Sequence, residues 1–190
     1  MSLDLAACSD GELAGLTLGG NQAAFAEVMR RHREPIYRLI RAYVGDAEEA
    51  LDITQDCFAS SFQHLARYDA TKPLRAWLAR IAINKSRDWR RRRRVRKILS
   101  FAAALPVGAI EKVGDDAPGP ESITADRFQL DRVSKAVAGL PTTLKETLLL
   151  RTVEGLSQAE TAEVLSISEK AVETRLYRAR LRLSEKLKQG

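Results

Sequence analysis

Cysteine and histidine are almost missing from this 190-residue chain, which has only Cys8 and Cys57 as thiols and His32 and His64 as imidazoles. Two thiols so far apart make no disulfide framework, and with no histidine at ligand spacing they make no zinc cluster. Long apolar runs are lacking too, since no stretch approaches the ~20 residues that a membrane span needs. The opening MSLDLAACSDGELAG has neither a basic start nor a sustained apolar run and does not read as a secretory signal. These absences imply a cytoplasmic chain with reduced thiols and no membrane contact of its own. No glycine-rich phosphate loop is present, and Ser60, Ser61 and Ser86 have no base partner nearby, so no cofactor, no metal and no catalytic residue is expected.

What is present is hydrophobic and basic. A hydrophobic content of 45% is enough for packed cores, and 31 Lys+Arg against 25 Asp+Glu give a net charge of +6, which points to a polyanionic partner. The charge is unevenly placed. Between residues 84 and 97 stand Lys85, Arg87, Arg90, Arg91, Arg92, Arg93, Arg94, Arg96 and Lys97 against Asp88 alone, whereas residues 111–126 carry Glu111, Asp115, Asp116, Glu121 and Asp126 against Lys112.

The apolar residues recur at steps of three and four, the helical period, nearly throughout, which predicts an all-α chain. After an N-terminal segment, 1–20, the positions Phe25, Val28, Met29, Ile36, Leu39, Ile40 and Tyr43 predict a first helix in which Pro35 marks a kink or a break. Beyond Gly45, the stripe Ala50, Leu51, Thr54, Cys57, Phe58, Ser61, Phe62 and Leu65 predicts a second. A third follows the turn-like YDATKP, with Thr71 as cap and Pro73 in its first turn, and docks through Leu74, Trp77, Leu78, Ile81 and Trp89. Residues 21–97 thus form one small helical domain. Periodicity then fades over 98–122, where Pro106, Gly108, Gly114, Pro118, Gly119 and Pro120 imply an extended acidic linker. It resumes over 123–190, broken at Pro141 and at Gly155, to give a second helical domain.

Within that second domain, Ser157 followed by Glu160 has the capping-box pattern and opens a short helix to Leu165. A turn, Ser166-Ile167-Ser168, leads into a long helix capped by Ser168. Small or apolar residues at Ala159, Ala162, Leu165, Ile167, Val172 and Leu176 suit the crossing of a helix-turn-helix. With Val172, Leu176, Ala179 and Leu183 facing inward, Lys170, Glu173, Thr174, Tyr177 and Arg178 fall on or beside the outer face, where base edges and phosphates could be met. Arg175, Arg180, Arg182, Lys186 and Lys188 could bind backbone phosphate. The alternative is an ordinary helical hairpin with a solvated charged face. In the first domain, Tyr68, Trp77 and Trp89 lie near the arginine run and could stack unpaired bases, although Trp77 beside Leu78 and Ile81 has the spacing of a core residue. The arginine run is either a phosphate contact or a solvated junction. Asp46, Glu48, Glu49, Asp52 and Asp56 are either a soluble face or a docking face for a basic protein surface.

Taken in order, DITQDCF at residues 52–58, RAWLARIAINKSRDW at 75–89 and LPTTLKETLLLRTVEGLSQAETAEVLSISEKAVETRLYRARLRL at 140–183 resemble the sigma-70 family of bacterial RNA polymerase sigma factors, in its extracytoplasmic-function group. The resemblance implies a region 2-like bundle over 21–97 and a region 4-like helix-turn-helix domain over 123–190. Asp52, Gln55, Asp56 and Phe58 then stand at the positions that dock on the clamp helices of the largest catalytic subunit of core RNA polymerase. Tyr68 and Asp69, in the loop that holds a flipped minus-10 base, would join Arg80, Asn84, Lys85 and Arg87 in minus-10 recognition. Tyr68 and Asp69 differ from the most familiar form of that loop. Ser168, Lys170, Glu173, Thr174, Arg175, Tyr177 and Arg178 map onto the minus-35-reading helix. The partners implied are core polymerase, through its clamp helices and flap region, promoter DNA, and an anti-sigma factor.

Two other functions compete with this one. A DNA recombinase would need a nucleophile or a carboxylate set on a strand-bearing domain, and residues 21–97 read as wholly helical. A stand-alone regulator would bind duplex operator DNA without polymerase.

Overall fold

The computed structural model describes residues 3–103 and 125–188. All of its regular elements are helical: α1 (Asp10–Leu18), α2 (Gln22–Val44), α3 (Ala47–Gln63), a single 3-10 turn (Leu65–Arg67), α4 (Leu74–Ala103), α5 (Ala125–Ala138), α6 (Thr142–Thr152), α7 (Gln158–Leu165) and α8 (Glu169–Lys188). The all-α class and its two helical modules agree with the sequence reading. The expected linker, 98–122, falls outside the described residues from 104 onward, and α4 runs on to Ala103 rather than ending near 97.

The first module is larger than the periodicity implied. Ser9 and Glu12 close a capping box at the start of α1, and Leu13 and Ala14 are buried against α2. Arg31 ties the segment down, donating to the carbonyl oxygens of Leu5, Ala6 and Cys8 at 3.1, 3.0 and 2.8 Å and to Asp10 at 3.2 Å. Arg30 and Arg31 also hold the Glu27 carboxyl down at about 2 through charge-assisted hydrogen bonds. Residues 5–20 therefore belong to the bundle.

Helix α2 passes through Pro35 unbroken. Proline removes one donor from the ladder, but Ile36, Leu39, Ile40 and Tyr43 on one side of it and Phe25 and Val28 on the other are buried together, and that packing overrides the local preference. The helix stops at Gly45, whose φ of 85° is the left-handed conformation that closes a C-terminus and whose N–H reaches the Arg41 carbonyl at 3.0 Å. Asp46 then caps α3 by accepting from the Glu49 N–H. The buried stripe of α3 is Ala50, Ile53, Thr54, Cys57, Phe58 and Ser61. Leu51 and Phe62, expected on it, are 42% and 49% exposed, and Ile53 takes the inward place. Cys57 is so enclosed that burial pushes its thiol up to about 12, which leaves it inert. Thr71 does not cap α4; its N–H and hydroxyl both donate to Asp69 within the preceding turn, at 3.0 and 2.7 Å.

The second module follows its sequence punctuation closely. Gly155, with φ 63°, ends the α6 turn, and the Leu156 N–H returns to the Leu150 carbonyl at 3.0 Å. Ser157 and Glu160 form the expected capping box. Ser166, left-handed at φ 54°, ends α7 in a Schellman arrangement: its own N–H reaches Glu163 O and the Ile167 N–H reaches Ala162 O. Ser168 Oγ then accepts from the Ala171 N–H at the start of α8. Val172 and Ala179 of α8 are buried, with Leu176 and Leu183 half-buried beside them; Ala162 is buried as expected, whereas Ala159 is exposed and Thr161 is buried in addition.

The two modules are not separate in this structure. Leu149, Leu150, Leu156, Val164 and Leu165 join the same apolar cluster as Leu39, Leu78 and Ala82 of the first module. Every residue of 144–150 is buried, as a helix enclosed on all sides requires. Glu154 is caught in this contact: its Oε1 has no hydrogen-bond partner, and burial raises its carboxyl above the ordinary value. A carboxyl raised in the fold costs stability while ionised, so stability should increase as pH falls from neutral through its folded value towards about 4.5, where the unfolded chain titrates. Glu154→Gln is expected to stabilise the protein at pH 7 by about 1 kcal/mol and to flatten that pH dependence, as measured by urea unfolding at pH 7 and pH 5.5.

Candidate nucleic-acid interface

Helix α8 presents the outward face that its periodicity implied. Lys170, Glu173, Thr174, Tyr177 and Arg178 are all exposed, Tyr177 to 68%, while Arg175 is half-buried beside them. Lys170 pairs with Glu173 at 2.8 Å, and the Thr174 hydroxyl is turned back onto the Lys170 carbonyl at 2.9 Å. An exposed pair one turn apart is worth only a few tenths of a kcal/mol, roughly, and gives way readily to a base edge or a phosphate. Ser168 spends its hydroxyl on the helix cap. A short helix set across a capped, basic second helix by a three-residue turn is the geometry in which the second helix lies in a major groove.

In the first module, Asp52, Gln55 and Asp56 are exposed on one face of α3 and border a cleft of ≈ 730 Å³ against Lys85, Trp89 and Arg92 of α4. This face holds carboxylates on one wall and guanidinium groups on the other. Phe58 is not part of it. At 2% exposure the ring lies in the core, so it can fix the tilt of α3 but cannot touch a partner. Lys85 also departs from expectation, lying in this cleft rather than beside Arg80, Asn84 and Arg87, because one residue along a helix turns the side chain by about 100°. Trp89 is buried and donates from Nε1 to Glu49 at 2.5 Å, with the Arg93 guanidinium 5.2 Å from its ring centre, so it is no base platform.

The third surface is the loop before α4 together with the α4 face that continues from it. Tyr68 and Trp77 are half-buried with ring centres 5.5 Å apart, and the Tyr68 hydroxyl donates to the Lys72 carbonyl at 2.6 Å. Burial raises the Tyr68 phenol, and hydrogen bonds from Thr71 lower the Asp69 carboxyl. Asn84 is exposed, its Oδ1 near Arg87 at 3.4 Å. Arg80 and Arg87 are engaged by the second module: Arg80 donates to the Glu163 carbonyl, and Arg87 grips Glu146 with Nε and one terminal nitrogen at 2.8 and 2.6 Å.

Glu146 was not singled out in the sequence, and it is the centre of the contact. Only 1% exposed, it also accepts from the Tyr43 hydroxyl at 3.2 Å; burial and its carboxylate together push the Tyr43 phenol upward. Arg87 is raised by the same hydrogen bonds, and burial lowers Lys145, whose Nζ lies 5.5 Å from the Tyr43 ring centre. A signal existed in the sequence: a Lys-Glu pair embedded in LKETLLL, on a helix too apolar to keep any face in water.

Comparison with known proteins accounts for most of the chain. Residues 28–96 match the family described as Sigma-70 region 2 and residues 130–183 the family described as Sigma-70, region 4. RNA polymerase sigma factor CnrH of Cupriavidus metallidurans is 40% identical over 179 residues, which are 93% of each chain. ECF RNA polymerase sigma factor SigW of Bacillus subtilis is 27% identical over 89% of this chain and 91% of its own. Among solved structures, CnrH in complex with the cytosolic domain of CnrY superposes with a TM-score of 0.71 at 31% identity, covering 95% of this chain and 97% of that one. The sigma factor RpoE in complex with the anti-sigma factor NepR from Bartonella quintana gives 0.67 at 22% identity, covering 86% and 96%, and shares the fold.

Core and surface roles on α3 separate by mutation. Phe58→Ala is expected to cost about 3 kcal/mol of unfolding free energy, whereas Asp56→Asn stays within about 0.5 kcal/mol of the parent, as measured by denaturant titration.

Proposed function

The chain belongs to the sigma-70 family, in its extracytoplasmic-function group, and from that premise we propose which residues carry the work of an alternative sigma factor. Such a factor is not an enzyme. It joins core RNA polymerase, directs it to a promoter and assists strand opening, and its place of action is the cytoplasm. Among the described residues no helix is long and apolar enough to cross a membrane.

Asp52, Gln55 and Asp56 form the docking face for the clamp helices of the largest catalytic subunit, with Phe58 behind them as a packing residue. Complementary charge speeds and orients such an encounter more than it tightens it. Tyr68, Asp69, Arg80, Asn84 and Arg87 form the minus-10 surface, where unpaired bases enter beside Trp77 and their phosphates meet the arginines; Lys85 lines the docking cleft instead. Ser168, Lys170, Glu173, Thr174, Arg175, Tyr177 and Arg178 form the minus-35 surface, near the polymerase flap. Neither surface need bind tightly alone, since polymerase holds both and makes the second contact effectively intramolecular. Capture of unpaired bases supplies the drive for melting.

The observation that carries this reading is the pairing of a basic, exposed recognition helix with a second basic helix beside an aromatic loop, in one short chain that also bears an acidic docking face. An inhibitory partner follows from the same kinship, because CnrH is solved with the cytosolic domain of CnrY and RpoE with the anti-sigma factor NepR. A stand-alone operator-binding regulator is the rival.

Run-off transcription with purified core polymerase on a promoter library tests the reading. Start-site-specific transcripts that depend on the protein are expected; tight sequence-specific duplex binding with no transcript would favour the rival. On a promoter recovered in this way, Arg178→Ala is expected to reduce initiation roughly tenfold, the effect of losing ~1–3 kcal/mol of base or phosphate contact, and to leave unfolding unchanged.

A further inference from the structure

We propose that α1 is part of the minus-10 apparatus: Gly11 seats Ala70 of the loop before α4, and Asp10 ties that seat to α2, which makes both of them positioning residues for base capture. The inference rests on the assignment of Tyr68 and Asp69 to the minus-10 surface, and goes beyond it by naming what holds their loop in place.

The loop has little of its own to aim it. Residues 69–73 are all exposed, between the buried anchors Leu65 and Leu74. The hydrogen bonds to its backbone run within it and to the turns that flank it. The Tyr68 N–H reaches the Leu65 carbonyl at 2.9 Å, the Lys72 N–H the Asp69 carbonyl at 3.0 Å, and the Tyr68 hydroxyl the Lys72 carbonyl at 2.6 Å. Such bonds shape a turn, but fixing its direction takes support from a second element.

Within the first module that element is α1. It packs on the 3-10 turn Leu65–Arg67, and a Cβ on Gly11 would lie 3.7 Å from both the Cβ and the carbonyl oxygen of Ala70. The helix therefore meets the loop with bare backbone, at its second residue. Glycine there costs helix stability relative to alanine. One added carbon would fill the gap at ordinary van der Waals distance. A β-branched side chain, stiff in a helix, would have to push the loop away.

Asp10, the first residue of the same helix, faces two ways. Its oxygens meet the Arg31 guanidinium at 3.2 Å and the His32 ring at 2.9 Å, both on α2. Its charge is also felt at the loop: after burial, the Asp10 carboxylate is the largest influence raising the Tyr68 phenol, ahead of the adjacent Asp69. Arg31 at the same time holds the carbonyls of Leu5, Ala6 and Cys8, so the chain is fixed to α2 on both sides of Ser9. Support thus passes from α2 through Asp10 and Gly11 to the loop, where the Tyr68 ring meets Trp77. Tyr68, Asp69, Trp77 and Arg80 border one cleft, so a displaced loop is a displaced rim, and misplacement by about 1 Å is enough to blunt recognition.

The test uses holoenzyme assembled from core polymerase and the full-length protein, on a promoter recovered from the library and on its single-base variants in both elements. The readout is base discrimination, the ratio of transcript from the best base to the worst at the most selective position of each element. Gly11→Val and Asp10→Ala should reduce the minus-10 ratio about fivefold and leave the minus-35 ratio within about twofold. Gly11→Ala should keep both ratios within about twofold, as should Asp10→Asn, which can still accept from Arg31. Adding Ala70→Gly to Gly11→Val makes room for the branched side chain and should bring the minus-10 ratio back to within about twofold of the parent. A protein that is merely destabilised would lose transcript on every template alike and move neither ratio. That outcome, unchanged ratios, or a double variant no better than Gly11→Val alone would overturn the role of α1 and leave the minus-10 reading standing. A parent with no base preference in the minus-10 element would overturn that reading, and this inference with it.

Discussion

A single buried carboxylate organises this molecule. Glu146 lies at the centre of α6 with almost no access to water, and its two oxygens are satisfied by Arg87 from α4 and by the Tyr43 hydroxyl from α2. An ionised carboxylate so placed is tolerable only while its partners stay, because the cost of removing it from water is recovered through those hydrogen bonds. The side chain therefore makes α2, α4 and α6 interdependent, two helices from one module and one from the other. Around it the apolar residues of both modules merge into one cluster.

A face built only of leucines would bind the second module and nothing else. A face built only of arginines would repel a helix without acidic residues and remain open. Helix α4 has Leu78, Ala82 and Ile83 buried in the core and a row of cations beside them, so it meets the second module through apolar packing and charge-assisted hydrogen bonds together. The acidic face of α3 lines its own cleft with Lys85 and Arg92, and the outward face of α8 is exposed.

Much of this was legible in the residues. The three- and four-residue period located the long helices, and the punctuation of the second module, Pro141, Gly155, the Ser157–Glu160 box and the turn at Ser166, fixed its helices almost to the residue, because each of those signals acts within one turn of chain. What escaped was whatever depends on a neighbour distant in sequence. Pro35 reads as a kink or a break, yet helices packed along α2 keep it one uninterrupted helix. Phe58 sits in a docking motif, yet points inward, since a motif names positions and not directions. Leu51 and Phe62 fit the apolar stripe by spacing, but they lie at its margins, and the buried face is Ala50, Ile53, Thr54, Cys57, Phe58 and Ser61. Helix α1 is too short for its period to be seen. Hardest of all was the meeting of the two modules. Periodicity says which side of a helix avoids water but not what covers it, and the fully buried run 144–150 was the one hint that α6 has neighbours all round.

The distance between modules tests the central claim most directly. Spin labels at Gln63→Cys in the first module and Glu185→Cys in the second, in a Cys8→Ser background, should give one short, narrow distribution in the free protein. Adding core polymerase and promoter DNA should move it outward by tens of ångströms. A free protein already broadly distributed at long distance, or a distribution that does not change on assembly, would contradict the claim.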